Sequence, residues 1–150
     1  MTMTQMSHIG LKKLYEQIRN IPGQEYVDIP RTERTPEIIL DKSGEVGRIK
    51  FIGRSLPDDA RTFYRPILTW IEDYFNNPHD TTIISFDLEY FNTSSSKMLL
   101  QIIRKFQKLE DQDKEIKVEW YYLEDDEDIL ESGVTFQDLT SIDFEFISYQ

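Results

Sequence analysis

The clearest signal along the chain runs from residue 82 to residue 90, where Ile84, Phe86, Leu88 and Tyr90 alternate with Ser85, Asp87 and Glu89. A period of two belongs to a strand with one buried face. Ile116, Val118, Trp120 and Tyr122 repeat the pattern and predict a second strand. Between them, Leu99, Ile102, Ile103, Phe106 and Leu109 share one stripe of a helix, with Lys97, Arg104, Lys105 and Lys108 among its polar positions. Upstream, Phe63, Ile67, Trp70, Ile71 and Tyr74 form a similar stripe. That helix opens in Ser55-Leu56-Pro57-Asp58-Asp59, placing acids in a first turn where they suit the positive end of the dipole. Pro66 interrupts it. Lacking an N–H, it calls for a kink or for a helix that begins late enough to hold it in the first turn.

The remaining elements are shorter. Ile38-Ile39-Leu40 and Arg48-Ile49-Lys50-Phe51-Ile52-Gly53 flank the turn Asp41-Lys42-Ser43-Gly44-Glu45, which predicts a hairpin. A third helix starts in Glu124-Asp125-Asp126-Glu127-Asp128 and is expected to end near Gly133, read as its C′ residue. Phe144-Glu145-Phe146-Ile147 predicts a last strand. Residues 1–34 read as an amino-terminal extension with one short helix, Leu11, Leu14, Tyr15 and Ile18 on its stripe and Pro22-Gly23 at its end. Residues 35–150 then form one domain. The order ββαβαβαβ predicts an α/β fold, a mixed, mostly parallel sheet of about five strands with packed helices.

Composition agrees with one packed unit. Hydrophobic residues make up 39% of the 150 and aromatics 13%, enough to fill a core without metals or disulfides. Cysteine is absent, which excludes disulfide frameworks, thiolate sites and cysteine nucleophiles. The 28 acids against 17 Lys and Arg give a net charge of −11, which argues against duplex nucleic acid and anionic membranes and favours partners with basic faces. No run has the length and apolarity of a membrane span, and the start lacks a signal-peptide pattern, so a cytoplasmic location is expected.

The turn Tyr90-Phe91-Asn92-Thr93-Ser94-Ser95-Ser96-Lys97 is the segment with the most unusual chemistry. Four hydroxyl residues follow one another between a strand and a helix. In a parallel sheet this is the carboxyl end of a strand and the amino end of a helix, where free N–H groups and the dipole favour negative charge. One reading is an ordinary cap, with one of Thr93, Ser94 or Ser95 accepting a backbone N–H bond and Asn92 supporting the turn. The other is an anion or phosphoryl site, with Lys97 placed to pair with the added charge. The turn has no glycine to wrap a phosphate, so covalent modification is favoured over a bound nucleotide. A small-molecule or nucleotide sensor at the same helix start is the alternative.

Other candidates carry less. The acidic run 124–128 lacks the spacing and glycine of a calcium loop and reads as solvated acids at a helix start. His8 and His79 read as surface residues. There is no Gly-x-Ser-x-Gly elbow, paired metal histidine or glycine-rich phosphate loop, so no catalytic, cofactor or metal site is expected. Tyr90, Phe91 and Tyr121 are the candidate partner-binding residues; Tyr121 faces away from Trp120 and Tyr122.

Thr35-Pro36-x-Ile38, Gly53-Arg54-Ser55-x-Pro57, Phe63-Tyr64-x-Pro66 with Trp70, the Asn92–Lys97 turn, and Trp120-Tyr121-Tyr122 followed by acids together resemble the SiaC family of bacterial regulatory phosphoproteins. The match runs from about Thr35 to the end of the chain, and the Asn-Thr-Ser-Ser-Ser-Lys turn with the Trp-Tyr-Tyr-acidic segment is its specific part. The resemblance implies a fold like the STAS domains of anti-sigma-factor antagonists and a partner-switching role. It further implies that a protein kinase phosphorylates the turn, that a PP2C-type phosphatase reverses it, and that the unmodified form binds and activates a diguanylate cyclase, as in characterised members of the family. The family's acceptor threonine falls on Thr93, with Asn92, Ser94, Ser95, Ser96 and Lys97 as its surrounding motif. The amino-terminal extension departs from the family pattern.

Overall fold

The structure is a computed structural model that describes Ile21 and residues 23–150. The expected helix over residues 11–18 lies outside the described residues. The elements are β1 (Tyr26–Ile29), β2 (Glu37–Asp41), β3 (Gly47–Ser55), α1 (Ala60–Tyr74), β4 (Thr81–Phe91), α2 (Thr93–Glu110), β5 (Glu115–Leu123), α3 (Glu127–Thr140) and β6 (Phe144–Tyr149). The six strands lie side by side in sequence order. β1, β2 and β3 pair antiparallel, whereas β3 through β6 pair parallel. The three crossovers step in one direction, and right-handed crossovers of that kind put all three helices on the same face. Among the described residues no helix covers the opposite sheet face.

The mixed α/β order agrees with the sequence pattern, with one strand added. Tyr26–Ile29, expected within the extension, is hydrogen-bonded to β2, Val27 opposite Leu40 and Ile29 opposite Ile38. Its signal is only Val27 and Ile29, both buried. The hairpin forms as expected, with Ile38 opposite Phe51 and Leu40 opposite Ile49.

The core is one cluster between sheet and helices, built from the alternating strand residues and the helix stripes. Phe51 and Phe86 stack at 5.1 Å. Trp120 is enclosed by Phe86, Phe91, Phe136 and Phe144. α1 starts at Ala60, capped by Asp59, whose carboxylate accepts the Thr62 N–H. Pro66 therefore sits inside the helix and not in its first turn. The Thr62 carbonyl it leaves without an intrahelical donor belongs to an exposed residue, where water can serve.

α3 corrects the reading of Gly133 as a C′ residue. The helix continues to Thr140 and ends at Ser141, which takes the left-handed conformation. Gly133 faces Trp120 instead. A Cβ there would come within 2.6 Å of the indole Nε1, which donates to the Ile129 carbonyl at 2.9 Å. This glycine is required by close packing, and nothing about it ends the helix.

Candidate functional site

The parallel strands β3, β4 and β5 end at one edge of the sheet, and α1, α2 and α3 begin there. Ligands of open α/β sheets bind outside the carboxyl ends of the strands. The central helix start is built by Asn92. Its extended backbone (φ −84°, ψ 176°) leaves the side chain free to cap, and Oδ1 accepts the Ser95 N–H at 2.9 Å and the Ser94 hydroxyl at 3.2 Å. The Asn92 N–H donates to the Ser55 carbonyl at 3.1 Å, fixing the turn to the end of β3. The turn is an ordinary cap as expected, but the accepting side chain is Asn92 and not one of the hydroxyls Thr93, Ser94 or Ser95.

The four hydroxyls are not equivalent. Thr93 and Ser94, the first two helical residues, are exposed; Ser95 is fully buried and Ser96 half-buried. The Ser95 Oγ accepts from the Ser55 hydroxyl at 2.8 Å, and Ser55 is bonded in turn to the Tyr64 hydroxyl at 2.6 Å. All three residues have no exposed surface. Burial holds the Tyr64 phenol far above its ordinary range, partly offset by the Ser55 hydrogen bond, so it stays a neutral O–H. Ser95 is thereby an anchor that ties the helix start to β3 and α1. Among the described residues the Thr93 hydroxyl has no hydrogen-bond partner, and Lys97, one turn further, is exposed and forms no ion pair. A reagent from solvent can reach Thr93.

The candidate partner residues part company at a β-bulge. Gly53 pairs with Leu88, but Arg54 pairs with Tyr90, leaving Glu89 as the extra residue. Tyr90 therefore leaves the alternation and stands exposed on the open sheet face. Phe91 takes the inner position, packed against Trp120 and Phe136. Gly53 has φ +115°, and a Cβ on it would come within 2.6 Å of the Arg31 guanidinium, which reaches Glu89 at 3.7 Å. Tyr121 lies on the open face, half-buried; burial and then the nearby Glu119, Asp87 and Glu145 raise its phenol.

The acidic run acts as a helix start: Asp126 accepts the Ile129 N–H, with Glu127 and Asp128 in the first turn. Among the described residues no group of three or more His, Asp or Glu side chains could hold a metal. His79 is half-buried, its Nε2 bonded to the Lys42 carbonyl at 2.8 Å, and it braces the hairpin turn. No helix among the described residues is long and apolar enough to cross a membrane.

A sheet covered by helices on one face, with a hydroxyl-rich helix start at its carboxyl edge, defines a small STAS-like domain. A family model described as SiaC family regulatory phosphoprotein matches residues 29–149, and the chain belongs to that family. An uncharacterised protein of Pseudomonas aeruginosa strain UCBPP-PA14 is 25% identical over 116 residues, covering 77% of this chain and 90% of that relative. Among solved structures, the complex of diguanylate cyclase SiaD with its activator SiaC from Pseudomonas aeruginosa gives a TM-score of 0.73 at 24% identity, over 82% of this chain and 99% of the matched chain. SiaC of Pseudomonas aeruginosa by itself gives 0.73 at 22%, over 84% and 100%. At these identities the likeness fixes the fold.

Proposed function

We propose that the chain is a non-enzymatic signalling switch, phosphorylated reversibly on Thr93, whose unmodified form binds and regulates a partner protein in a bacterial partner-switching pathway. A protein kinase and a PP2C-type phosphatase set the state of Thr93, and the regulated effector is a diguanylate cyclase, the class of enzyme bound by the structural neighbour SiaC. The carrying observation is the sorting of hydroxyls at one helix start: among the described residues Thr93 is exposed and has no hydrogen-bond partner, while Ser95 is sealed beneath it. A phosphoryl group on Thr93 adds about −1.5 to −2 charges at the positive end of α2. That position tolerates the charge within the fold, so the modification alters the surface that a partner meets.

The test compares Thr93→Ala, Thr93→Asp and phosphorylated protein for binding to the cognate cyclase. Thr93→Ala should bind like the unmodified chain. Phosphorylation should weaken binding by at least about tenfold, equivalent to about 1.4 kcal/mol. Peptide mass spectrometry after kinase treatment should place the added mass on Thr93, and Ser94→Ala should not prevent it. Equal affinity of the modified and unmodified chains would remove the switch.

A further inference from the structure

The whole-chain charge points toward basic partners, but the central helix carries the opposite sign. α2 holds Lys97, Arg104, Lys105 and Lys108 against a single acid, Glu110, a net charge of +3 in a chain of −11. These cations fall with Leu100 and Gln101 on one outward stripe of the helix. Lys105 is paired with Glu72 of α1 at 2.9 Å. Among the described residues Lys97, Arg104 and Lys108 form no ion pair, and all three are exposed. Leu100 supplies a half-buried apolar centre. From Lys97 to Lys108 the stripe spans about 16 Å at 1.5 Å per residue, the length of three helical turns.

We infer that this stripe is the docking surface for the effector, and that it receives an acidic helical segment. The inference rests on the switch reading above and supplies its partner chemistry. Charge complementarity selects the sign. The flanks select the side: α3 presents Glu127, Asp128, Glu131 and Asp138 and repels such a segment, whereas α1 exposes Arg61 and Arg65 at its start and has its exposed Glu72 engaged by Lys105. Thr93 stands at the head of the stripe, one turn before Lys97. A phosphate there opposes incoming carboxylates and competes for Lys97, and screening confines its reach to about 8 Å at physiological salt. The modification therefore acts on whichever end of the docked segment lies at the start of α2.

The experiment uses isotope-labelled full-length protein titrated with a synthetic Glu-rich amphipathic helix carrying a leucine stripe, monitored by amide shifts. Shifts should concentrate on residues 97–108. The pair Arg104→Glu with Lys108→Glu should weaken binding by about tenfold or more, and raised salt should do the same. The pair Arg48→Glu with Lys117→Glu, on the open sheet face, makes the same change in net charge and should leave binding within about twofold. Circular dichroism confirms that each variant is folded. No binding, shifts centred elsewhere, or equal losses for both pairs would overturn the inference. The same variants are then tested on the cyclase. If it binds the unmodified chain and tolerates Arg104→Glu with Lys108→Glu, the docking surface is wrong and the switch stands. If it binds neither form while the peptide maps to α2, the effector is wrong and the surface stands.

Discussion

Removing the middle hydroxyl of the Tyr64–Ser55–Ser95 chain should cost more than removing either end. Ser55 donates to Ser95 and receives from Tyr64, so Ser55→Ala leaves the Tyr64 O–H without an acceptor in a site with no exposed surface. An orphaned buried donor costs about 1–3 kcal/mol, and no charge can leave instead because burial keeps the phenol protonated. For a chain of this length that corresponds to a fall in Tm of roughly 2–4 °C per kcal/mol. Adding Tyr64→Phe removes the orphan. The double variant should then be more stable than the sum of the single losses by about 1 kcal/mol or more. Ser94→Ala is the control. Its hydroxyl is exposed and adds a 3.2 Å bond to an Asn92 oxygen that already caps Ser95, so its loss should stay within about 0.5 kcal/mol. Urea unfolding followed by Trp fluorescence measures all four. Strict additivity of Ser55→Ala and Tyr64→Phe would refute the coupled chain.

Three further outcomes follow from other contacts. Gly133→Ala should destabilise by about 1–3 kcal/mol in urea unfolding although alanine is the better helix former, because the new methyl meets Trp120 and Phe146 within 3 Å; unchanged or higher stability would show that the indole yields. The Tyr149 phenol is raised from 10.0 to about 12 by burial and then by Asp87, which accepts its hydrogen bond at 3.1 Å. A raised phenol holds its proton more tightly in the fold, so its contribution is complete below about pH 10 and lost as pH climbs from 10 to 12. Asp87→Asn should bring the ultraviolet titration of Tyr149, assigned by difference from Tyr149→Phe, back toward 10. Phosphorylated protein should melt no lower than the unmodified chain, since charge at a helix start contributes about 0.3–1 kcal/mol in its favour at low salt; a clear loss of Tm would contradict a surface-only effect.

Much of this was legible in the sequence because strands and helices announce themselves through burial period. The strands at 82–90 and 116–122, the two helix stripes and the hairpin lie where their apolar positions put them. What escaped depends on contacts between distant residues. Tyr90 continues the alternation in sequence, yet the bulge at Glu89 turns it outward; the only local signal is Gly53, a glycine in a neighbouring strand. Gly133 reads as punctuation because Trp120, which demands its missing side chain, lies on another element. At the candidate site, four adjacent hydroxyls look alike as composition. Their order does carry a signal, since Ser95 precedes Leu99, Ile102, Ile103 and Phe106 at helical spacing and so belongs to the buried stripe.

That same spacing explains how a modification can change binding without changing the fold. A helix turns by 100° per residue, so Thr93 and Ser95, two residues and about 200° apart, cannot both face the core. Once Leu99 and Ile102 commit one face of α2 to the interior, Ser95 is drawn under and Thr93 is turned out. Asn92 satisfies the amide of the buried residue, and Ser55 secures its hydroxyl, so the geometry of the turn is held from below. Nothing in that support passes through the Thr93 hydroxyl. A charge placed on Thr93, as the switch proposal requires, would therefore leave these supporting bonds intact, with the helix dipole in favour of its presence and the cations of α2 close enough to register it.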